Sequence, residues 1–302
     1  MNLIDVTTEF LTEDACLDYL EKTRWHSGLA CLKCGSVKVA RIQPKDKRGK
    51  MRRIYQCLEQ PCLHQFTATT GTIFHDTHLP LKKWFIAIAL IVDAKKGMSA
   101  LQIKRHLKCH YRTAWYLCHR IRKAMEEAPD FLRGTVEVDE TYIGGRYDAR
   151  RKRNPREKIG VIGLIERKGR VQAARIPSRA QSSLVGTIRD RVLPEAHVMT
   201  DQYAAYKPLG RTHQHDVINH IEAFARGSIH TNTIENFWSL LKRGIIGSYH
   251  KISEKHLDRY LAEFTYRFNR REVRDLFIMT LERMLREEPM KYKELVANET
   301  AL

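Results

Sequence analysis

Three acidic residues stand where carboxylates can hold divalent metal ions: Asp139, Asp201 and Glu235. Asp139 and Asp201 each end a short β-branched run that predicts a strand, and Glu235 lies in a helical pattern. Three oxygen ligands from separate elements suit Mg²⁺ (or Mn²⁺), which takes few protein carboxylates and leaves room for water and phosphate oxygens. Two such ions can stabilise both the attacking and the leaving oxygen of a phosphodiester. The pattern therefore predicts metal-dependent chemistry on nucleic acid.

The helical segment 233–243 favours Glu235 as the third metal ligand. Its apolar stripe consists of Ile234, Phe237, Trp238 and Leu241. At about 100° per residue, Glu235 borders this stripe, and Lys242 returns to nearly the same direction. We therefore expect Lys242 to reach the phosphate beside Glu235, whereas Asn236 points towards solvent. The alternative interpretation is an exposed pair of charges on a solvated helix.

Three further polar residues are secondary candidates for the same site: Glu137, His230 and Asn232. In the strand 135–139, Glu137 and Asp139 project from one face, and the valines on either side of Glu137 project from the other. Two carboxylates on one face of a central strand are costly unless a cation lies near them. Glu137 is therefore predicted to support the metal ligands, and His230 and Asn232 to assist from the start of the helix.

Four cysteines form the pattern C-x2-C-x22-C-x4-C, which predicts a structural Zn²⁺ site. They are Cys31, Cys34, Cys57 and Cys62. Tetrahedral Zn²⁺ takes four thiolates, and two short loops deliver them in pairs. Gly35 suits the tight turn after the first pair, and His64 is an alternative ligand that four cysteines make unnecessary. The competing interpretation is four unrelated buried thiols.

A helix-turn-helix pattern follows over residues 97–125. Ser99 and Gln102 have the spacing of a capping box for its first helix. In the second helix, 111–125, an apolar stripe leaves five residues pointing outward: Arg112, Tyr116, His119, Arg120 and Lys123. A basic, aromatic outer face suits a recognition helix in a DNA groove. A plain helical hairpin with a solvated charged face is the alternative.

The composition indicates a polyanionic partner. The 302 residues carry a formal charge of +18, so double-stranded DNA is the first candidate and an anionic membrane surface the second. The longest apolar run, 84–92, is shorter than the roughly 20 residues that a bilayer requires, which predicts a buried helix and no membrane association. The acidic N-terminus lacks a signal-peptide pattern, and seven cysteines with two close pairs indicate a reducing, cytoplasmic compartment.

The order of elements predicts a mixed α/β chain in five parts. These are an N-terminal helix (1–25), a zinc ribbon (26–75), a helical DNA-binding segment (76–130), a catalytic domain (131–250) and C-terminal helices (251–302). Short strand patterns occur at 135–139, 159–166, 171–177, 197–200 and 215–219. The first two flank a basic loop, 146–158, whose charges include Arg150, Arg151, Lys152 and Arg153. We expect this loop to contact DNA phosphates.

Several strings resemble the bacterial IS1595-type insertion-sequence transposases with an ISXO2-like catalytic domain. They are V-E-V-D-E-T-Y-I-G-G (136–145), M-T-D-Q-Y-A-A-Y (199–206), H-T-N-T-I-E-N-F-W-S-L-L-K-R-G-I-I-G-S-Y-H (230–250) and the zinc-ribbon end Q-F-T-A-T-T-G-T-I-F (65–74). The resemblance implies an RNase H-like catalytic domain, Mg²⁺ dependence, and Asp139, Asp201 and Glu235 as a DDE triad. Some members of the family carry Asn in the third position, which keeps Asn232 and Asn236 as alternatives.

The resemblance also implies the activity and the partners. A transposase of this type cleaves DNA at terminal inverted repeats and then joins the freed 3′-hydroxyl to target DNA. We expect it to act in the bacterial cytoplasm at the nucleoid, as a homodimer or higher oligomer on DNA. Two alternatives are a zinc-ribbon/helix-turn-helix regulator with an inactive catalytic domain, and a nuclease without strand transfer.

Overall fold

The computed structural model describes residues 1–42, 53–144, 158–177, 180–218 and 230–297. Its helices are α1 (Leu3–Glu9), α2 (Glu13–Arg24), α3 (Leu81–Asp93), α4 (Ala100–Leu107), α5 (Tyr111–Ala124), α6 (Gln181–Arg189), α7 (Asn232–Gly244), α8 (Leu257–Asn269), α9 (Leu276–Arg286) and α10 (Tyr292–Val296). Its strands are β1 (Val39–Ile42), β2 (Ile54–Cys57), β3 (Gln65–Phe66), β4 (Thr135–Ile143), β5 (Ile159–Glu166), β6 (Val171–Ile176), β7 (His197–Asp201) and β8 (Gln214–Ile218). Short 3₁₀ turns occupy Ala204–Arg211 and Glu254–His256, and a π-helical turn occupies Ile245–Tyr249.

The chain divides into two compact units. The first comprises Met1–Asp93, Ala100–Ala124 and Arg274–Leu302, and the second comprises Ala94–Ser99 and Met125–Val273. Helix α8 therefore belongs to the second unit, whereas α9 and α10 belong to the first.

Helices of the first unit pack around aromatic side chains. Helix α2 begins at Thr12, whose hydroxyl accepts a hydrogen bond from the Ala15 N–H at 3.1 Å, so the predicted N-cap is confirmed. The ring of Phe10 packs edge-on against Phe85 of α3, with 4.7 Å between centroids. Helix α3 contains the long apolar run and is largely buried, as predicted. Within the described ranges, no helix has the length and apolar character needed to cross a bilayer.

A five-stranded mixed sheet forms the centre of the second unit. Its strand order is β6-β5-β4-β7-β8, with β6, β5 and β4 antiparallel and β7 and β8 parallel to β4. Strand β4 is central, and its residue Asp139 pairs with Gly163 of β5. The strand patterns in the sequence located all five strands to within a few residues at each end.

Each face of this sheet is covered by an apolar layer. On one face Val136 and Val138 pack with α6 and the 3₁₀ turn Ala204–Arg211. On the other face α7 and α8 pack over β5 and β6. Because side chains alternate along a strand, Glu137 and Asp139 lie on the face that α7 covers.

Candidate active site and metal centre

The four predicted cysteines of the first unit lie together. Cys57 ends β2, Cys31 and Cys34 precede β1, and Cys62 lies between β2 and β3. The four sulfur atoms lie within 4.8 Å of one another, and the pairs Cys31–Cys62 and Cys34–Cys57 are 3.7 Å and 3.6 Å apart. Tetrahedral zinc with Zn–S bonds of about 2.3 Å requires sulfur separations of about 3.8 Å. The four cysteines therefore fit structural Zn²⁺.

Hydrogen bonds favour the thiolate form of Cys31 in this cluster. Burial raises the pKa of the Cys31 thiol, but N–H groups of Cys34 and Lys33 hydrogen-bond to its sulfur and bring the pKa down to about 6. Gly35 adopts φ +75°, which allows its N–H to donate to the Cys31 carbonyl at 2.9 Å and close the loop. A thiolate is the form that binds zinc.

The small apolar cluster behind the cysteines is limited in size. Cys31 and Cys57 pack with Tyr55 and Phe66, and the ring of Trp25 meets Tyr55 edge-on at 4.8 Å. A core of this size buries little apolar area, so metal binding contributes directly to folding in such segments.

The three predicted carboxylates of the second unit converge on one face of its sheet. Strands β4 and β7 are parallel and their pairing ends with Glu137 opposite Met199, so continuing this register by two residues brings Asp139 near Asp201. Glu235 approaches from α7, which packs on this face. Burial raises the pKa of Asp139 to about 7, and the charges of neighbouring Glu140, Asp201 and Glu235 add to the rise. The carboxylates are thus close enough to repel one another.

Each carboxylate also has a nearby hydrogen-bond donor. The indole N–H of Trp238 donates to Asp139 Oδ2 at 3.0 Å. The Tyr203 backbone N–H donates to Asp201 Oδ1 at 3.0 Å, and the Thr231 hydroxyl donates to Glu235 Oε1 at 3.1 Å. Asp139 and Asp201 are half-buried and Glu235 is exposed, so the cluster is anchored on the protein side and accessible from solvent.

Two residues near the cluster were absent from the sequence prediction: Glu140 and Tyr206. The Tyr206 hydroxyl donates to Glu140 Oε2. Burial raises the pKa of Tyr206, and the charges of Glu140, Asp139 and Asp201 raise it further. Alternation places Glu140 on the opposite face of β4 from Asp139, so strand periodicity alone argues against it. Only its position next to Asp139 in E-V-D-E gives a signal.

Glu137 anchors the start of α7. It is fully buried, and its carboxylate accepts hydrogen bonds from the Thr233 N–H at 2.8 Å, the Thr233 hydroxyl at 2.9 Å and the Ile234 N–H at 3.2 Å. Arg167 pairs with the same carboxylate at 2.8 Å, and the ring atom Nδ1 of His230 lies 3.1 Å from it. A carboxylate at a helix N-terminus accepts hydrogen bonds from the N–H groups that lack a partner within the helix, and its negative charge interacts favourably with the helix dipole. Glu137 thus fixes the helix that carries Glu235.

The remaining predicted residues of α7 are solvent-accessible. Asn232 opens the helix, Asn236 follows Glu235, and Lys242 lies two turns further on; all three are exposed. The expected outward direction of Asn236 agrees with its exposure. Glu235 accepts the hydrogen bond from Thr231, and its charge contributes to the raised pKa of Asp139.

The predicted outer face of α5 is partly wrong. Arg112 is exposed, and Tyr116 and Lys123 are half-buried, but His119 and Arg120 are only 0% and 4% exposed. The predicted outward orientation of His119 and Arg120 therefore does not hold. The predicted basic-loop residues Arg150, Arg151, Lys152 and Arg153 lie outside the described residues.

Packing on a second side of α5 explains the burial. The Arg120 guanidinium donates to the carbonyl of Ile73 and, at 2.7 Å, to that of His75, and it lies 4.9 Å from the ring centre of Trp84. From α9, Arg283 donates to the Ala124 carbonyl at 2.7 Å. The amphipathic pattern of α5 identifies one buried face of this helix. It cannot show that α9, about 160 residues later in the chain, covers a second face.

Comparisons with known proteins match both the cysteine and the carboxylate segments. The family model of the ISXO2-like transposase domain matches residues 131–269, and that of the transposase zinc-ribbon domain matches residues 11–65. An uncharacterized protein in transposable element ISH50 of Halobacterium salinarum is 26% identical over 279 residues, covering 85% of this chain and 91% of the relative. An uncharacterized transposase-like protein of Haemophilus influenzae is 32% identical over 108 residues, covering 35% of this chain and 87% of the relative.

The four-cysteine ribbon and the sheet with its acidic cluster fall within the two matched ranges, which defines the chain as an insertion-sequence transposase. It belongs to the IS1595 family, with an ISXO2-like transposase domain.

Proposed function

We propose that this protein cleaves DNA at the terminal inverted repeats of its element and joins the resulting 3′-hydroxyl to target DNA. The observation that carries the proposal is the convergence of Asp139, Asp201 and Glu235 on one sheet face, where burial and then the charges of Glu140, Asp201 and Glu235 raise the pKa of Asp139. A concentration of like charge at a solvent-accessible position favours binding of divalent cations.

The strand order supports an RNase H-like catalytic domain. Three antiparallel strands, β6, β5 and β4, are extended by β7 and β8 parallel to β4. The carboxylates come from the central strand, from the end of the adjacent parallel strand and from a helix packed on the same face. This distribution brings together residues that are far apart in the chain.

Asp139, Asp201 and Glu235 offer only carboxylate oxygens, the ligand type that Mg²⁺ or Mn²⁺ takes. Bound there, the ion would promote deprotonation of the attacking water and stabilise negative charge on the phosphate. The protein orients Asp139 through Trp238 and Asp201 through the Tyr203 N–H. Lys242 is exposed on the helix of Glu235, and we propose that it contacts a DNA phosphate.

Binding to double-stranded DNA follows from the charge of +18 and from the zinc ribbon. Within the first unit, α4 and α5 form the helix-turn-helix candidate, and Arg112 is an exposed basic residue on α5 that we propose contacts DNA. We propose that Lys123 and Tyr116 support this contact, that the basic loop contacts phosphates, and that the active form is a homodimer or higher oligomer on DNA.

The direct test measures cleavage of a labelled element end and joining to a target plasmid with Mg²⁺. Alanine variants of Asp139, Asp201 and Glu235 are expected to lose both activities by orders of magnitude while binding the end fragment normally. Loss of a metal ligand removes activation of the nucleophile and stabilisation of the leaving group together.

Asn236→Ala is the matched control on the same helix, since its exposed side chain follows Glu235 directly. Normal cleavage by Glu235→Ala with loss in Asn236→Ala or Asn232→Ala would show that an asparagine is the third ligand. Cleavage without joining indicates a nuclease, and end binding without cleavage by the wild type indicates a regulator.

A further inference from the structure

Trp238 connects α7 directly to the central carboxylate. Its indole N–H donates to Asp139 Oδ2 at 3.0 Å, and its side chain is almost completely buried. Indole nitrogen is a donor only and cannot bind a metal ion or accept a proton. The contact therefore uses one acceptor site of the Asp139 carboxylate, fixes the direction of Oδ2, and leaves further lone pairs of the carboxylate for a metal ion.

Gly163 provides the space that this contact requires. It pairs with Asp139 across β4 and β5. A Cβ at this position would lie 2.5 Å from Cζ2 of Trp238 and 2.7 Å from Cδ1 of Ile234. Separations this short do not occur in folded proteins, so any larger residue would force the Trp238 ring out of its position beside Asp139.

The hydrogen bond and the steric requirement are independent observations on the same contact. The indole ring lies over the strand partner of Asp139 while its N–H reaches the carboxylate. Packing alone would be satisfied by an apolar ring of similar size, without the donor.

We propose that Trp238 is a positioning residue for metal binding: its indole N–H holds the Asp139 carboxylate in one orientation, and Gly163 is required to admit the indole ring. The inference rests on the proposed function, because it concerns the metal-binding geometry of the same cluster. Groups that hydrogen-bond to metal ligands typically change metal affinity or activity by about 10- to 100-fold when removed.

The first test removes the donor. In Trp238→Phe we expect the half-saturating Mg²⁺ concentration for cleavage to rise, or kcat at saturating Mg²⁺ to fall, by about 10- to 100-fold. The Kd for end DNA should stay within about twofold of the wild-type value, since no DNA-contacting group changes. Unchanged Mg²⁺ dependence and unchanged kcat would overturn the proposal.

Trp238→Phe also removes ring volume, so a second variant separates donation from packing. Replacement of Trp238 by benzothienylalanine, which has sulfur in place of the indole N–H, keeps the shape and removes only the donor. The same change in Mg²⁺ dependence with an unchanged Tm supports positioning. Wild-type Mg²⁺ dependence in this variant would show that Trp238 acts through packing alone, and would overturn the proposal.

The space requirement is tested by Gly163→Ala, with Gly186→Ala as its control. Gly186 lies in α6, and a Cβ there would meet no atom within 4 Å. Gly163→Ala should raise the half-saturating Mg²⁺ concentration, or lower kcat, at least as much as Trp238→Phe, whereas Gly186→Ala should leave both values unchanged. Equal Mg²⁺ dependence of the two alanine variants would overturn the role of Gly163.

Failure of the proposed function has a different signature. If the wild type shows no Mg²⁺-dependent cleavage, or Asp139→Ala cleaves normally, the catalytic assignment is wrong. If the wild type cleaves with Mg²⁺ and Asp139→Ala does not, but the Trp238 and Gly163 variants have the Mg²⁺ dependence and kcat of the wild type, only the positioning inference is wrong.

Discussion

Replacement of Asp139 by asparagine should stabilise the protein while abolishing its activity. The ionised carboxylate is disfavoured by burial and by the charges of Glu140, Asp201 and Glu235. Asparagine keeps the side-chain shape and carries no charge. Its amide oxygen can accept the hydrogen bond from Trp238. Asp139→Asn therefore relieves repulsion at the cluster without emptying it.

The magnitude follows from the pKa. A rise from 3.8 to about 7 corresponds to about 4 kcal/mol at about 1.4 kcal/mol per pKa unit. Between about pH 4 and pH 7 the folded wild type holds a proton that the unfolded chain has released, so its free energy of unfolding falls as pH rises. The advantage of Asp139→Asn should be small at pH 4, grow through this window and stay constant above pH 7, with about 4 kcal/mol as its upper bound.

Urea unfolding at pH 5 and pH 8, in Mg²⁺-free buffer that retains the zinc, measures this difference. Glu195→Gln is the control, because Glu195 is exposed and its replacement should change stability by no more than about 0.5 kcal/mol at either pH. Adding Mg²⁺ at pH 8 should stabilise the wild type, since a ligand that binds only the folded state shifts unfolding. Asp139→Asn should gain much less.

Two results would refute this reasoning. One is an Asp139→Asn protein that is no more stable than the wild type at pH 8. The other is an equal stabilisation at pH 5 and pH 8, which would show that the charge of Asp139 is not the cause.

Three further outcomes are expected. Cys57→Ser should contain no zinc by metal analysis and should have a lower Tm, because the ribbon core depends on the metal. A Cys57→Ser protein with wild-type zinc content and Tm would contradict the four-cysteine zinc site. Glu137→Ala should cost about 3–5 kcal/mol in urea unfolding, since it leaves the half-buried Arg167 guanidinium and helix N–H groups without their partner, and Glu137→Gln should cost less. A Glu137→Ala protein as stable as the wild type would exclude the anchoring role. Arg120→Met should lower stability by about 1–3 kcal/mol without changing end-DNA affinity in a gel-shift assay, whereas Arg112→Ala should weaken that affinity without changing the Tm; the reverse pattern would overturn the revised orientation of α5.

Local patterns in the sequence located most elements and the main polar groups of the candidate sites. Strand alternation put Glu137 and Asp139 on one face, and the helical period placed Glu235 beside the apolar stripe of α7. The cysteine spacing predicted the cluster that the fold assembles. These features depend on residues within one or two helical turns or within one hairpin, so they can be predicted from the sequence alone.

Other features depend on which distant segments meet, and a single sequence does not contain that information. Glu137 was expected to support the metal ligands, and its partners in the fold are N–H groups of α7 and the guanidinium of Arg167. Arg120 was expected to face outward, but segments before α3 and after α8 enclose α5. Trp238 read as an ordinary core residue, and only the register that sets Gly163 opposite Asp139 gives its N–H a carboxylate to bind. Periodicity fixes the direction of a side chain relative to its own helix or strand, whereas its partner is set by tertiary packing.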